Sequence, residues 1–308
     1  MATVEKENTI GIIGGTGLIG SELTKEFLRH SFRIKIFSRG NKLPPSLQGL
    51  SGVSLIQTEQ VQAGDLEGLK YLFNLAGEKI IGRWSDVKKD LLWSSRVNST
   101  RALVSELKKT EKKPEVLVNA SAVGYYGMHP ASSPVFTENS KCGEDFLSRL
   151  CFDWEKEAFE AEEFGVSVRL ARIGIVLSNR GGALKEMLPA FRLFLGGPVG
   201  NGEQYMSWIH IEDIVRALHF IVNTEEKRGI YNLSAPHPVS NREFTETLAR
   251  TLSRPNFFRV PNVTLKFLFG EVASILTQGQ NVLPAALLNA GFQFRYNTLE
   301  SALRNLLV

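Results

Sequence analysis

The first two thirds of the chain alternate between short apolar runs and longer stretches with helical spacing of apolar residues. Short apolar runs closed by glycine or polar residues are typical of buried parallel strands. The predicted strands cover residues 9–14, 32–38, 53–57, 69–75, 114–121, 166–172 and 230–233. Apolar residues repeat at helical spacing in the predicted helices, which cover residues 17–30, 85–109, 143–164, 211–222 and 240–252.

This alternation of strand and helix indicates an α/β protein with a Rossmann-type, doubly wound parallel sheet. We assign residues 1–252 to this domain, with insertions from about residue 175 to residue 210 that are expected to cover a substrate site. Composition changes between Pro255 and Pro261. Residues 253–308 are therefore expected to form a small helical C-terminal domain of three short helices.

The composition indicates several features that we expect this protein to lack. The net charge is +4, but the lysines and arginines are scattered, so no nucleic-acid partner is expected. The two cysteines, Cys142 and Cys151, and the five histidines show neither a disulfide framework nor metal-ligand spacing. No apolar stretch is long enough for a membrane span or a signal peptide. We therefore expect a cytoplasmic protein without a metal or a membrane partner.

A glycine-rich turn, GGTGLIG, lies between the first predicted strand and the first predicted helix. Gly14 suits a tight turn, Gly17 leaves room for a pyrophosphate, and Gly20 allows close packing of helix and strand. The N–H groups at the start of the helix carry partial positive charge, which favours phosphate. The residues expected to contact the dinucleotide here are Gly14, Thr16, Gly17, Leu18 and Ile19.

The end of the second strand bears on the choice of nucleotide. NAD sites usually place an acidic residue there for the ribose 2′-hydroxyl, whereas this chain has none between Glu26 and Glu59. Arg39 can pair with a 2′-phosphate, and Ser38 is a second donor. The cofactor is therefore predicted to be NADP(H), the alternative being that Arg39 is a solvated loop residue. The motif NLAG closes the fourth strand and places Leu75, Ala76 and Gly77 near the same ligand.

These motifs resemble the extended branch of the short-chain dehydrogenase/reductase superfamily, together with SAVGYYG and WIHIED further along the chain. More closely, the whole chain resembles the atypical epimerase family of suspected sugar-nucleotide epimerases, through ARIGIVLS, GGAL, GGPVGNGEQ and GQNVLPAALLNAGFQF. The tail is similar to that family's short C-terminal domain of unknown role. The resemblance implies nucleotide contacts at Ser38, Arg39, Leu75, Ala76, Arg96, Ser121 and Arg172.

The chain departs from the superfamily at the catalytic pair. Active members need Tyr-x-x-x-Lys on one helix, where the lysine lowers the tyrosine pKa for proton transfer. None of the six tyrosines here has a lysine four residues later. The helix where the pair belongs carries Leu150, Cys151, Trp154 and Glu155 instead, and the family's serine falls at Ser121 or, in another register, at Ala122.

Four residues are weak substitutes for that pair, namely Ser121, Tyr125, Glu78 and His210. For the last three, a structural role in loop packing, hydrogen bonding or the core is an open alternative. Two functions remain. One is an oxidoreductase or nucleotide-sugar epimerase-like enzyme whose small-molecule substrate lies beneath the GGPVGNG loop. The other is a non-catalytic NADP(H)-binding regulatory or scaffold protein. By analogy with relatives, a homodimer through the helices at 85–109 and 143–164 is expected.

Overall fold

The computed structural model describes residues 8–130, 134–225, 228–260, 270 and 273–308. Seven parallel strands form the central sheet: β1 (Thr9–Ile13), β2 (Arg33–Ser38), β3 (Val53–Gln57), β4 (Tyr71–Asn74), β5 (Val116–Ala122), β7 (Ser167–Ile173) and β11 (Arg228–Leu233). Their order in the sheet is β11-β7-β5-β4-β1-β2-β3. All seven coincide with predicted strands, which confirms the Rossmann-type doubly wound α/β fold.

Three two-stranded sheets flank the central one. β8 (Ile175–Leu177) pairs with β10 (Trp208–His210), and β9 (Tyr205–Met206) pairs with β12 (Val239–Ser240). In the third, β6 (Val135–Phe136) pairs with β13 (Asn281–Val282) from the C-terminal tail. Single-turn 3₁₀ helices cover Pro45–Leu47, Val123–Tyr126 and Glu160–Phe164.

Helices cover the sheet on both faces. They are α1 (Leu18–Arg29), α2 (Ala63–Leu66), α3 (Asp86–Trp93), α4 (Ser99–Lys109), α5 (Phe146–Phe159), α6 (Gly182–Arg192), α7 (Ile211–Ile221), α8 (Asn241–Thr251), α9 (Ala273–Thr277), α10 (Ala285–Asn289) and α11 (Leu299–Leu307). Of the predicted C-terminal unit, residues 261–269 and 271–272 lie outside the described residues.

The alternation of side chains along each strand separates two apolar cores. In β5, Val116 and Val118 face the core beneath α1, α7 and α8, whereas Leu117 faces the core beneath α4. Both faces of the sheet are therefore buried, which explains why the strands are continuous apolar runs in the sequence. The first core also contains tail residues such as Leu287 and Leu303, so the tail packs into the main domain.

The strand order reverses between β1 and β4. The chain runs outward from β1 to β3 on one side and from β4 to β11 on the other. Ligands of open α/β sheets bind in the crevice outside the carboxyl ends of the strands at such a switch point. The glycine-rich turn follows β1 and the NLAG segment follows β4, so both predicted motifs lie at this crevice.

The predicted helix at residues 85–109 does not keep regular α-helical geometry along its whole length. α3 and α4 are joined without a break by a π-helical turn at Ser94–Asn98. Such turns insert an extra residue and occur often at functional sites. Arg96 lies within this turn and is only 8% exposed. The hydrophobic spacing gave no signal of the insertion, because it affects a single turn.

Polar contacts fasten the tail to the main domain. The Glu138 carboxylate accepts hydrogen bonds from the backbone nitrogens of Asn232 and Ala286, and the buried Asp213 carboxylate accepts from those of Arg295 and Tyr296. Earlier in the tail, a Cβ on Gly279 would meet the carbonyl oxygen of Tyr205 at 1.9 Å. The backbones of the tail and of β9 are therefore in direct contact.

The Gly279 contact leads to a stability prediction. Gly279→Ala should lower the free energy of unfolding by about 1–3 kcal/mol, because the added methyl forces the two backbones apart. Gly64→Ala in α2 is the control, since a Cβ there meets no atom within 4 Å and the change should be neutral or stabilising by up to ~1 kcal/mol. Urea denaturation measures both; equal stabilities of the two variants would contradict the prediction.

Candidate functional site

The glycine-rich turn has the tight geometry that the sequence predicted. Gly14 has a positive φ of 81°, and a Cβ there would lie 2.9 Å from the backbone nitrogen of Ala76. A Cβ on Gly20 would lie 2.5 Å from the Gly14 oxygen. Gly20 thus allows α1 to pack against the turn itself, rather than against a strand as its spacing had suggested. Gly17 is exposed, and a Cβ there would lie 3.2 Å from the Gly14 oxygen, a close contact that requires a small local shift.

The start of α1 is suited to an anion. Gly17 is its N-cap, and no side chain caps the first N–H groups. The first turn also carries no acidic residue. Thr16, Leu18 and Ile19 are only partly buried, so the N–H groups of this turn lie at the surface of the crevice. The unsatisfied N–H groups and the positive end of the helix dipole together favour a phosphate.

Arg39 extends from the end of β2 beside this turn. Arg39 is exposed, and its guanidinium makes no hydrogen bond or ion pair with the described part of the chain. The neighbouring Ser38 hydroxyl accepts a hydrogen bond from the Gly40 nitrogen at 3.1 Å. Arg39 also contributes to the lowered pKa of Glu78, after the larger effect of a hydrogen bond from Lys88. The positive field of Arg39 therefore reaches the crevice.

Beyond the NLAG segment lies a small cavity of about 180 Å³. Its polar wall includes Arg96, Ser121 and Cys151, and its floor is formed by Ala76 and Gly77. Arg96 donates to the carbonyl oxygen of Glu78 at 2.9 Å, and its guanidinium lies 5.3 Å from the Trp154 ring. A Cβ on Gly77 would approach that guanidinium to 3.0 Å. The cavity therefore adjoins the NLAG segment, which follows β4 at the switch point.

A buried ion pair lies behind this cavity. Arg172 donates from Nε and Nη2 to the two carboxylate oxygens of Glu155, each at 2.8 Å. The Ser121 hydroxyl donates to the same carboxylate at 2.6 Å. Arg172 Nη1 also donates a hydrogen bond to the Tyr126 hydroxyl, at 3.0 Å. Arg172 is 1% exposed, so its implied contact with a nucleotide remains a prediction, and its observed partners are internal.

The two loop tyrosines have different surroundings. The Tyr126 hydroxyl donates to Asn232 Oδ1 at 2.7 Å, and burial raises the pKa of this phenol to about 12. The half-buried Tyr125 has its ring 3.4 Å from the guanidinium of Arg172. Burial is also the largest cause of the raised pKa of Tyr125. Neither phenol therefore has the lowered pKa that the superfamily's catalytic tyrosine requires.

The remaining two candidate residues have structural partners. Glu78 forms an ion pair with Lys88 at 2.7 Å, and this hydrogen bond is the main cause of its lowered pKa. His210 is 1% exposed and caps α7, where its Nδ1 accepts from the Glu212 nitrogen at 3.1 Å. Burial lowers the pKa of the imidazole. Asp213, three residues after His210, is bonded instead to Arg216 and to the backbone of the tail.

A larger cleft of about 980 Å³ lies beside the tail. Asn201 and Gln204 from the predicted cover line one side, and Thr277 and Gln278 from the tail line another. The opposite wall includes Trp84 and Phe146. Residues of the cover and of the tail therefore both line this cleft, and the expectation that the substrate lies beneath the GGPVGNG loop remains a prediction.

Sequence reasoning missed the tail anchors, Glu138 and Asp213. Glu138 belongs to no motif, Asp213 is the last residue of WIHIED, and for both only the fold brings the backbone partners close. In the described residues, no group of three His, Cys, Asp or Glu side chains could hold a metal ion. None of the helices that the structure describes is both long and apolar enough to cross a membrane.

The parallel sheet, the glycine-rich turn at its switch point and the adjoining crevice define a Rossmann-type protein of the short-chain dehydrogenase class. The chain belongs to the NAD dependent epimerase/dehydratase family, whose model matches residues 10–234. Residues 260–306 match a domain of unknown function, DUF1731.

Individual relatives agree with this assignment. The chain is 37% identical over 305 residues to the chloroplastic epimerase family protein SDR39U1 homolog of Arabidopsis thaliana, covering 97% of this chain and 87% of that one. The crystal structure of human epimerase family protein SDR39U1 with NADPH is 29% identical, with a TM-score of 0.84 and coverage of 97% and 98%. UDP-glucuronic acid 4-epimerase from Bacillus cereus, at 14% identity, TM-score 0.78 and 97% coverage of each chain, shares the fold.

The buried ion pair leads to a second stability prediction. Glu155→Gln should lower the free energy of unfolding by about 3–5 kcal/mol, because it leaves the Arg172 charge buried without its partner. Glu157→Gln is a matched control on the same helix. It removes the partner of Arg101, whose side chain is 62% exposed, and should cost about 1 kcal/mol or less. Similar losses in the two variants, measured by urea denaturation, would refute the buried pair.

Proposed function

We propose that this protein binds NADP(H) and acts as an oxidoreductase or nucleotide-sugar epimerase-like enzyme on a small-molecule substrate. The observation that carries the proposal is the exposed Arg39, which has no partner among the described residues, beside a glycine-rich turn whose first helical N–H groups have no side-chain cap. A 2′-phosphate has the charge and the acceptor oxygens to bind such a guanidinium. The NADPH in the structure of the human relative supports this choice of nucleotide.

The substrate would bind in the cleft between the cover and the tail. Aromatic rings on one wall and amide and hydroxyl groups on the other suit a ligand with both apolar faces and hydroxyl groups. A nucleotide sugar has this character, and the Bacillus cereus epimerase was solved with UDP-glucuronic acid. Cytoplasmic location and a homodimer remain part of the proposal. A homodimer would use the faces of α4 and α5, which carry the exposed Arg101–Glu157 pair.

A second candidate function is non-catalytic. The helix where the catalytic pair belongs carries Cys151 and Glu155 instead. The Glu155 carboxylate is already bonded to Arg172 and Ser121. A protein with this arrangement could bind NADP(H) and report its occupancy to a partner. Turnover of a carbonyl substrate with NADPH distinguishes the two functions.

The glycine-rich turn gives a binding prediction. Gly17→Val should abolish NADPH binding and preserve the fold, because the added side chain enters the space of the pyrophosphate while Gly17 already has extended backbone angles. Fluorescence titration with NADPH and circular dichroism measure the two properties. Gly64→Val, remote from the crevice, should keep the affinity. Unchanged affinity in the Gly17 variant would place the nucleotide elsewhere.

The choice of nucleotide gives another prediction. Arg39→Ala should weaken NADPH binding roughly ten- to hundredfold and leave NADH nearly unchanged, because only NADPH presents the 2′-phosphate. The preference of the unmodified protein for NADPH should shrink as salt rises, since Arg39 is exposed. Arg29→Ala, an exposed arginine at the far end of α1, is the control. Calorimetry that finds equal affinity for both nucleotides in the unmodified protein would overturn the assignment.

A further inference from the structure

The cavity beyond the NLAG segment contains a group that no role above accounts for. We propose that the Cys151 thiol replaces the absent phenol: it faces the nicotinamide end of the bound dinucleotide and donates the proton when a carbonyl is reduced there. The inference rests on the proposed binding of NADP(H) and extends it to the chemistry of the site.

The first argument is position. Cys151 and Glu155 are four residues apart on α5, so they lie on one face of the helix, as the tyrosine and lysine of the superfamily pair do. Each is 4% exposed and is turned toward the end of β5. Ser121, at that end of β5, is hydrogen-bonded to Glu155. A thiol and a carboxylate therefore stand at the spacing of the superfamily pair, on the helix where that pair belongs.

The second argument is the cavity. Cys151 lines the same 180 Å³ cavity as Ala76 and Gly77, which are the last two residues of the NLAG segment at the switch point. Apart from Arg96 and Ser121, the rest of the wall is apolar and includes Leu147, Leu150, Trp154 and Ile173. A flat, weakly polar ring entering from the crevice would meet apolar contacts here, with the thiol at its edge. Cys142, the other cysteine, lines a separate surface cleft with Phe152 and Asp153.

The third argument is electrostatic. A proton donor must be protonated at rest, and its conjugate base must be stabilised after transfer. Burial, followed by the nearby Glu155 carboxylate, raises the pKa of Cys151 to about 12, which keeps the thiol protonated near neutral pH. The Ala122 backbone, Arg96 and Ser121 act in the opposite direction and favour the thiolate. The thiol is therefore the resting form, and these three groups lessen the cost of the thiolate without offsetting it.

The proton balance of the step is simple. The thiol gives its proton to the carbonyl oxygen while the carbonyl carbon receives hydride from NADPH. The S–H bond and the C=O π bond break, and one O–H and one C–H bond form, leaving NADP⁺ and a thiolate. The thiolate then regains a proton from water. NADPH is the reductant, and no further oxidant or reductant is needed.

Other acids near the cavity are already engaged. The Ser121 hydrogen is bonded to Glu155, and the Tyr126 hydroxyl is bonded to Asn232 and to Arg172 away from the cavity wall. Among the described residues that line this cavity, Cys151 is therefore the neutral acid whose hydrogen is not committed to a carboxylate.

The chain has two cysteines, so two variants separate them cleanly. Cys142→Ser leaves Cys151 as the sole thiol, and Cys151→Ser is the reciprocal control. Both are first titrated with NADPH. In Cys142→Ser, NADP⁺ should produce a broad near-ultraviolet charge-transfer band that grows as pH rises, because the positive nicotinamide ring favours the thiolate, lowers the pKa of Cys151 from its raised value and contacts the thiolate that forms. Adenosine 2′,5′-bisphosphate, which lacks that ring, should produce no band, and neither should NADP⁺ with Cys151→Ser.

Turnover tests the proton transfer itself. With NADPH and phenanthrenequinone as a dicarbonyl probe, Cys142→Ser should match the unmodified protein, whereas Cys151→Ser and Cys151→Ala should be at least roughly tenfold slower at unchanged NADPH affinity. Equal rates in the Cys142 and Cys151 variants, zero included, overturn the donor role, as does absence of the band. Failure of NADPH to bind the unmodified protein would instead refute the proposed function.

Discussion

The ion pair between Arg172 and Glu155 is the interaction on which the site and the tail both depend. Two charges buried in an apolar interior are costly unless each is fully bonded. Glu155 meets this condition with Arg172 and Ser121, and Arg172 meets it with Glu155 and Tyr126. Tyr126 in turn donates to Asn232, whose side chain donates to the Leu283 oxygen of the tail. One charged pair thus joins α5, β5, β7, β11 and the C-terminal segment.

The sequence predicted the fold well because the fold depends on local patterns. Strand bounds followed from apolar runs, and the crevice followed from GGTGLIG and NLAG, whose glycines are needed for short backbone contacts such as that of Gly14 with Ala76. Arg39 was predicted to contact a 2′-phosphate because the chain has no acidic residue between Glu26 and Glu59. The ion pair could not be found in this way. Arg172 and Glu155 are 17 residues apart on different elements, and only the packing of α5 on the sheet shows that they meet.

The two ends of the crevice differ in their electrostatic surroundings. At the end of β2, Arg39 is exposed, so its attraction for an anion is screened by water and salt. At the end of β5, the charges of Arg96, Glu155 and Arg172 are buried, where the effective dielectric constant is lower and interactions are stronger. The exposed guanidinium that is proposed to select the nucleotide is therefore electrostatically separate from the buried charges around Cys151.

The π-helical turn at Ser94–Asn98 has a consequence for how this region can vary in length. Each residue of a helix turns the chain by about 100°, so an added or deleted residue normally rotates everything beyond it. A π turn confines such an addition to one loop of backbone, while α3 and α4 keep their own faces. The inserted turn holds Arg96 against the Glu78 carbonyl. Removing one residue there would restore a regular helix, yet it would turn this guanidinium out of the crevice.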